Sequence, residues 1–100
     1  MGMLINSVIK SEQVRNDRMI AEYEALISTL PKGSLICRKQ EYYYLKYREN
    51  GKVCDKYIGK DMELVNDIRN QLERRKHYET MLSRLYDEKK AILKIMEELT

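Results

Sequence analysis

The sequence predicts an α+β fold: a long helix, a three-stranded antiparallel β-meander and a second long helix. The helices are expected to pair as an antiparallel coiled-coil-like hairpin. Three observations carry this expectation. Apolar residues recur at helical spacing at both ends of the chain, the middle switches to short Tyr-rich runs split by Asn50-Gly51, and Pro31 and Gly59 mark the two changes of period. The boundaries expected are helix 4–30, meander 34–58 and helix 61–99, in a single domain spanning residues 1–100.

In the first helix Ile5, Ile9, Glu12, Asn16, Met19, Tyr23, Leu26 and Leu30 follow alternating steps of four and three. That is the seam of a helical hairpin, with polar residues in its middle. Pro31 ends it, because the residue before a proline is pushed out of the helical region, and Lys32-Gly33 complete the turn. Ser34–Arg38 is the first expected strand and Glu41–Glu49 the second. Asn50-Gly51 supplies the two positive φ angles of a type I′ hairpin turn, and Lys52–Ile58 returns as the third strand. This turn sets Arg48 opposite Val53, Tyr47 opposite Cys54, Lys46 opposite Asp55, Leu45 opposite Lys56, Tyr44 opposite Tyr57 and Tyr43 opposite Ile58. Lys46–Asp55 and Tyr44–Tyr57 are favourable cross-strand pairs. One sheet face is then expected to hold Ile36, Tyr43, Leu45, Tyr47, Cys54 and Ile58 as the core side. The other would hold Leu35, Cys37, Tyr42, Tyr44, Lys46, Arg48, Val53 and Tyr57, a face apolar enough to be covered by a helix or a ligand.

Asp61 is the expected N-cap of the second helix, and Glu63 and Asp67 place negative charge near its start. Val65, Ile68 and Leu72 form the first part of its stripe; Met81, Leu82, Leu85, Ile92, Met96 and Leu99 form the second. Arg74-Arg75-Lys76-His77 interrupts the two. At ~1.5 Å per residue this helix is roughly 55 Å long against roughly 40 Å for the first. Matching the helices residue by residue from the turn leaves 91–99 overhanging. Ile92, Ile95, Met96 and Leu99 of this overhang, with Leu85 ahead of them on the stripe, are expected to meet a second copy in a homodimer, or a host protein.

Composition narrows the function classes. The 100 residues carry a net charge of +3, with 43% hydrophobic and 35% charged, which fits a foldable soluble chain. No uncharged run approaches the ~20 apolar residues of a membrane span. The start Met1-Gly2-Met3-Leu4 has no charged leader region, so a cytoplasmic location is expected. Cys37 and Cys54 are expected on opposite faces of the first and third strands, roughly 9–10 Å apart, too far for a disulfide. With His77 they make no four-ligand metal set. Neither a Gly-rich phosphate loop nor a nucleophile elbow is present, so no enzyme, cofactor, metal or small-molecule substrate is expected.

The charge distribution is more informative. Residues 32–60 hold eight bases against three acids, and every aromatic ring of the chain is a tyrosine. A basic, Tyr-rich sheet sets phosphate-contacting cations beside rings that stack on bases. The candidate contacts are Arg38, Lys39, Tyr42, Tyr44, Lys46, Arg48, Lys52, Lys56 and Lys60, extended by Arg74, Arg75 and Lys76. The alternative is that the same cations guard sheet edges against aggregation and the chain binds protein through its helices.

Leu30-Pro31-Lys32-Gly33-Ser34, Tyr42-Tyr43-Tyr44-Leu45-Lys46-Tyr47-Arg48, Gly51-Lys52 and Lys56-Tyr57-Ile58-Gly59-Lys60 form a specific pattern. With Ile68-Arg69 and Leu72-Glu73-Arg74-Arg75-Lys76 it resembles a family of short bacterial and phage proteins built on a PKGS…YYYL-Y-R--GK---KYIGK hairpin and a long charged helix. The resemblance spans roughly residues 30–80 and implies a DNA-associated accessory protein of a phage or mobile element. The hairpin is also similar to the three-stranded DNA-reading sheet at the N-terminus of some tyrosine recombinases. The phage character further implies an alternative role: an inhibitor of a bacterial defence nuclease, of the anti-CRISPR type, acting on a nucleoprotein.

Overall fold

The computed structural model describes residues 2–100, with side chains from Leu4 onward. The order is α1 (Gly2–Ser28), β1 (Ser34–Arg38), β2 (Tyr42–Glu49), β3 (Lys52–Gly59) and α2 (Met62–Leu99). This is the expected α+β arrangement of two helices around an antiparallel meander. It forms two compact units: the chain up to Ser28 with Tyr78–Thr100, and Thr29–His77. No described helix is long and apolar enough to cross a membrane.

In the helical unit α1 and the second part of α2 run antiparallel. Asn16 donates to the Leu85 carbonyl at 2.9 Å and to Glu88 at 3.3 Å, Lys89 pairs with Asp17 at 3.4 Å, and the Tyr23 and Tyr78 rings meet at 5.6 Å. Ile20, Leu85 and Ile92 are buried around Asn16, which is itself only 1% exposed. The polar interruption of the seam is thus a satisfied buried amide, the device that fixes register in paired helices. Arg15 joins it, bridging Glu12 at 3.0 Å and Glu88 at 2.8 Å; hydrogen bonding to Glu12, then the charges of both carboxylates, raise its pKa.

The expected overhang is corrected here. The first sixteen residues of α2 belong to the sheet unit, so α1 pairs only with the portion of α2 from Tyr78 onward and reaches the end of the chain. Asn6, Ser7, Ile9 and Lys10 line one cavity of about 440 Å³ together with Met96, Leu99 and Thr100. Leu85 and Ile92, expected at a partner interface, are core residues of this hairpin, whereas Ile95 and Leu99 are each 40% exposed.

The sheet unit has strand order β1-β2-β3. The β2–β3 register is as expected from Tyr44↔Tyr57 to Glu49↔Lys52, with Asn50 at φ 53° and Gly51 at φ 77° in the turn. At the far end a bulge between Tyr43 and Tyr44 sets Tyr43 opposite Gly59, not Ile58. The β1–β2 register is Leu35↔Leu45, Ile36↔Tyr44, Cys37↔Tyr43 and Arg38↔Tyr42. This overturns the expected face assignment of β1. The connecting loop is three residues long, with Lys39 at φ 54°, Gln40 at φ 60° and the Glu41 N–H donating to the Arg38 carbonyl at 3.2 Å. A loop of this length pairs odd-numbered residues with odd, so Leu35 and Cys37 join Leu45, and Ile36 goes to the opposite face.

Cys37 and Cys54, opposite Tyr43 and Tyr47, therefore share a face and do not lie on opposite ones. Four residues along β2 and two strand spacings separate them, roughly 16 Å, and both thiols are free. Asp61 caps α2 by accepting the Glu63 N–H at 3.0 Å. Val65, 0% exposed, and Leu45 are the buried apolar side chains of this unit. Leu35 lines a groove with Arg69, Leu72, Glu73 and Lys76, so α2 covers the Leu45 face. Gly33, at φ +114°, lies so close to β2 that a Cβ there would stand 2.2 Å from the Lys46 carbonyl oxygen.

Candidate functional site

With α2 on the Leu45 side, the other face of the sheet is open. Val53 and Tyr57 are each 53% exposed there, so the expected helical cover is missing from this unit. Strand alternation and the two registers place Ile36, Arg38, Tyr42, Tyr44, Lys46, Arg48, Val53, Asp55 and Tyr57 on this face.

The face has two halves along β2. At the bulge end the rings of Tyr44 and Tyr57 meet at 5.2 Å with 57° between their planes, a tilted aromatic pair. The Arg38 guanidinium lies 4.7 Å over the Tyr44 ring and reaches Asp55 at 3.0 Å. Lys60 sits 4.7 Å over the Tyr42 ring and pairs with Glu41 at 3.1 Å. At the turn end Lys46 and Arg48 are exposed, and neither forms an ion pair among the described residues. With Gly33, Tyr47 and Val53 they line a cleft of about 400 Å³.

Asp55 decides how these cations divide. Its register partner is Lys46, as the sequence predicts. Its carboxylate nevertheless goes to Arg38, whose longer side chain crosses β2 over the Tyr44 ring. Arg38 is therefore engaged and Lys46 is left facing solvent.

The expected basic set is only partly brought together. Arg38, Tyr42, Tyr44, Lys46 and Arg48 share the open face. Lys52 and Lys56, opposite Glu49 and Leu45, belong to the other face, because the hairpin turn pairs them with odd-numbered residues of β2. Lys39 sits in the β1–β2 loop. Arg74 is exposed on α2, but Arg75 donates to the Leu30 carbonyl at 2.8 Å, satisfying an acceptor just past the end of α1. Lys76 lines the groove on the Leu35 side, so Arg75 and Lys76 do not extend the open face. The expected set omitted Tyr57 and Asp55, although the Asn50-Gly51 register already put them beside Tyr44 and Lys46.

Among the described residues no group of three His, Cys, Asp or Glu side chains is placed to hold a metal ion. No curated protein and no solved structure matches the chain. One family model does, over residues 9–69, which run from α1 through the whole sheet into the first turns of α2. That span covers more than half of the chain and contains the complete open face, and on it the chain belongs to the family described as a domain of unknown function, DUF6788.

Proposed function

We propose that the open sheet face binds nucleic acid and that the chain acts as a non-enzymatic binding protein of a phage or mobile element. One observation carries the reading: among the described residues Lys46 and Arg48 have no carboxylate partner, and they stand on a solvent-facing sheet beside the Tyr44–Tyr57 pair. Cations held on a rigid strand meet phosphate at little conformational cost, and neighbouring rings add contacts to sugar and base. The basic balance of residues 32–60 adds a field that attracts a polyanion to this unit. Binding of labelled DNA and RNA is measured by fluorescence anisotropy across salt, for the native chain and for Lys46→Ala/Arg48→Ala. The reading expects affinity to fall steeply with salt and to be largely lost in the double variant. Absent or salt-independent binding ends it.

A protein contact through the helices is supported by a second observation. Leu4, Ile5 and Val8 of α1 and Leu93, Ile95 and Leu99 of α2 are exposed toward the same end of the hairpin. Self-association through them predicts a dimer in sedimentation that Ile95→Asp/Leu99→Asp converts to a monomer. A native chain that sediments as a monomer removes self-association.

A further inference from the structure

We infer that the nucleic acid taken by the open sheet face is single-stranded, its backbone following Lys46 and Arg48 along β2 and a base resting on Tyr57. This deepens the nucleic-acid reading and rests on it.

The first ground is the number of free cations. Duplex DNA presents two phosphate backbones, and a protein that grips it strongly through them does so with a set of about 6–10 phosphate contacts, as the steep salt dependence of such complexes reflects. Here Arg38 is held by Asp55 at 3.0 Å and Lys60 by Glu41 at 3.1 Å, so Lys46 and Arg48 are the uncommitted cations among the described residues of the face. Two cations in line on one strand make a track for one backbone, not for the two that flank a groove.

The second ground is the carboxylate of Asp55, 36% exposed and set on β3 directly opposite Lys46. A duplex laid across the sheet presents dense phosphate charge to that carboxylate. A single strand keeps its one backbone on the Lys46–Arg48 line of β2 and passes bases, not a second row of phosphates, over β3.

The third ground is the aromatic chemistry. In a duplex the base faces are occupied by neighbouring bases and only their edges are accessible, whereas an unpaired base has a free face. Tyr44 is covered by Arg38 on one side and by Tyr57 on another. Tyr57, at 53% exposure, is the ring with surface left to offer, with equally exposed Val53 farther along β3 as an apolar neighbour.

The test compares a single-stranded DNA 12-mer, the RNA 12-mer of the same sequence and the corresponding DNA duplex, by anisotropy at several salt concentrations. At least tenfold tighter binding of one or both single strands than of the duplex is expected. The log–log salt slope should be near −1.4 for two phosphates at about −0.7 each. Replacing Tyr57 by Leu, which removes the ring and keeps an apolar side chain, should weaken single-strand binding by about 5- to 100-fold. Tyr57→Phe should bind as the native chain does. Lys46→Ala, at an exposed position, should halve the slope while leaving the fold unchanged by circular dichroism. Equal or tighter duplex binding, or a Tyr57→Leu chain that binds single strands normally, overturns this inference and leaves the nucleic-acid reading standing. Binding to none of the three probes overturns both. A preference between the DNA and RNA strands identifies which the face takes.

Discussion

Replacing Asp55 by Asn tests whether one carboxylate sets the charge of the open face. In the native chain Asp55 holds the Arg38 guanidinium at 3.0 Å, with both side chains partly exposed. Asn keeps the shape and removes the charge, so Arg38 becomes a third available cation on the face. For a single strand the salt slope then steepens from about −1.4 to about −2.1. Taking about 1 M salt as the point where counterion release contributes nothing, the extra phosphate contact tightens binding about eightfold near 50 mM salt. Near 200 mM the gain is about threefold. The exposed ion pair contributes at most about 1 kcal/mol to folding, so the variant stays folded and its anisotropy titrations compare directly with those of the native chain. An unchanged slope, or weaker binding, would refute the view that Asp55 withholds Arg38 from the ligand.

Three further predictions concern the scaffold. Gln40, at φ 60°, occupies a conformation unfavourable for a side-chain-bearing residue, so Gln40→Gly should stabilise the chain by about 0.5–1 kcal/mol after the entropy of the unfolded glycine is counted. Thermal melting should rise by a few degrees. Asn16→Ala removes the donor to the Leu85 carbonyl from a buried site and should cost about 1–3 kcal/mol in urea unfolding; a smaller loss would mean the amide does not pin the hairpin. The Tyr86 hydroxyl donates to the Glu24 carboxylate, and that hydrogen bond, with burial and the nearby charge, raises its pKa. A phenol whose folded pKa lies above its unfolded one binds the proton more tightly when folded. Its contribution is therefore full below about pH 10 and is lost as pH rises through the raised value. Tyr86→Phe should flatten stability between pH 9 and 11 relative to the native chain.

Local chemistry made much of the fold legible. Pro31 and Asn50-Gly51 speak through their own backbone preferences, so the end of α1 and most of the β2–β3 register follow from a few residues. The β1–β2 register was hidden because Lys39 and Gln40 carry positive φ without being Gly, Asn or Asp. The antiparallel pairing of the helices was legible, but its extent was misjudged, because nothing in the periodicity of α2 says where it passes from one compact unit to the other. The basic character of the site was legible, but its division was not. Whether a cation is free depends on the reach of its neighbours, as when Arg38 takes the carboxylate that lies opposite Lys46, or Arg75 takes a backbone carbonyl.

The loop at residues 39–41 has a consequence for how this surface can change over evolutionary time. A one-residue slip of β1 against β2, as when a shortened loop draws Arg38 in to keep its three residues, would turn β1 over while leaving every residue of that strand unaltered. Ile36 would then rotate toward Leu45, and Leu35 and Cys37 would come out to solvent. Arg38 would leave Tyr44 and Asp55 at the same stroke, and the carboxylate would fall to Lys46. The electrostatic character of the face is thus written in the register of one strand as much as in the identity of the residues it carries, and a slip of one position there would do the work of several substitutions.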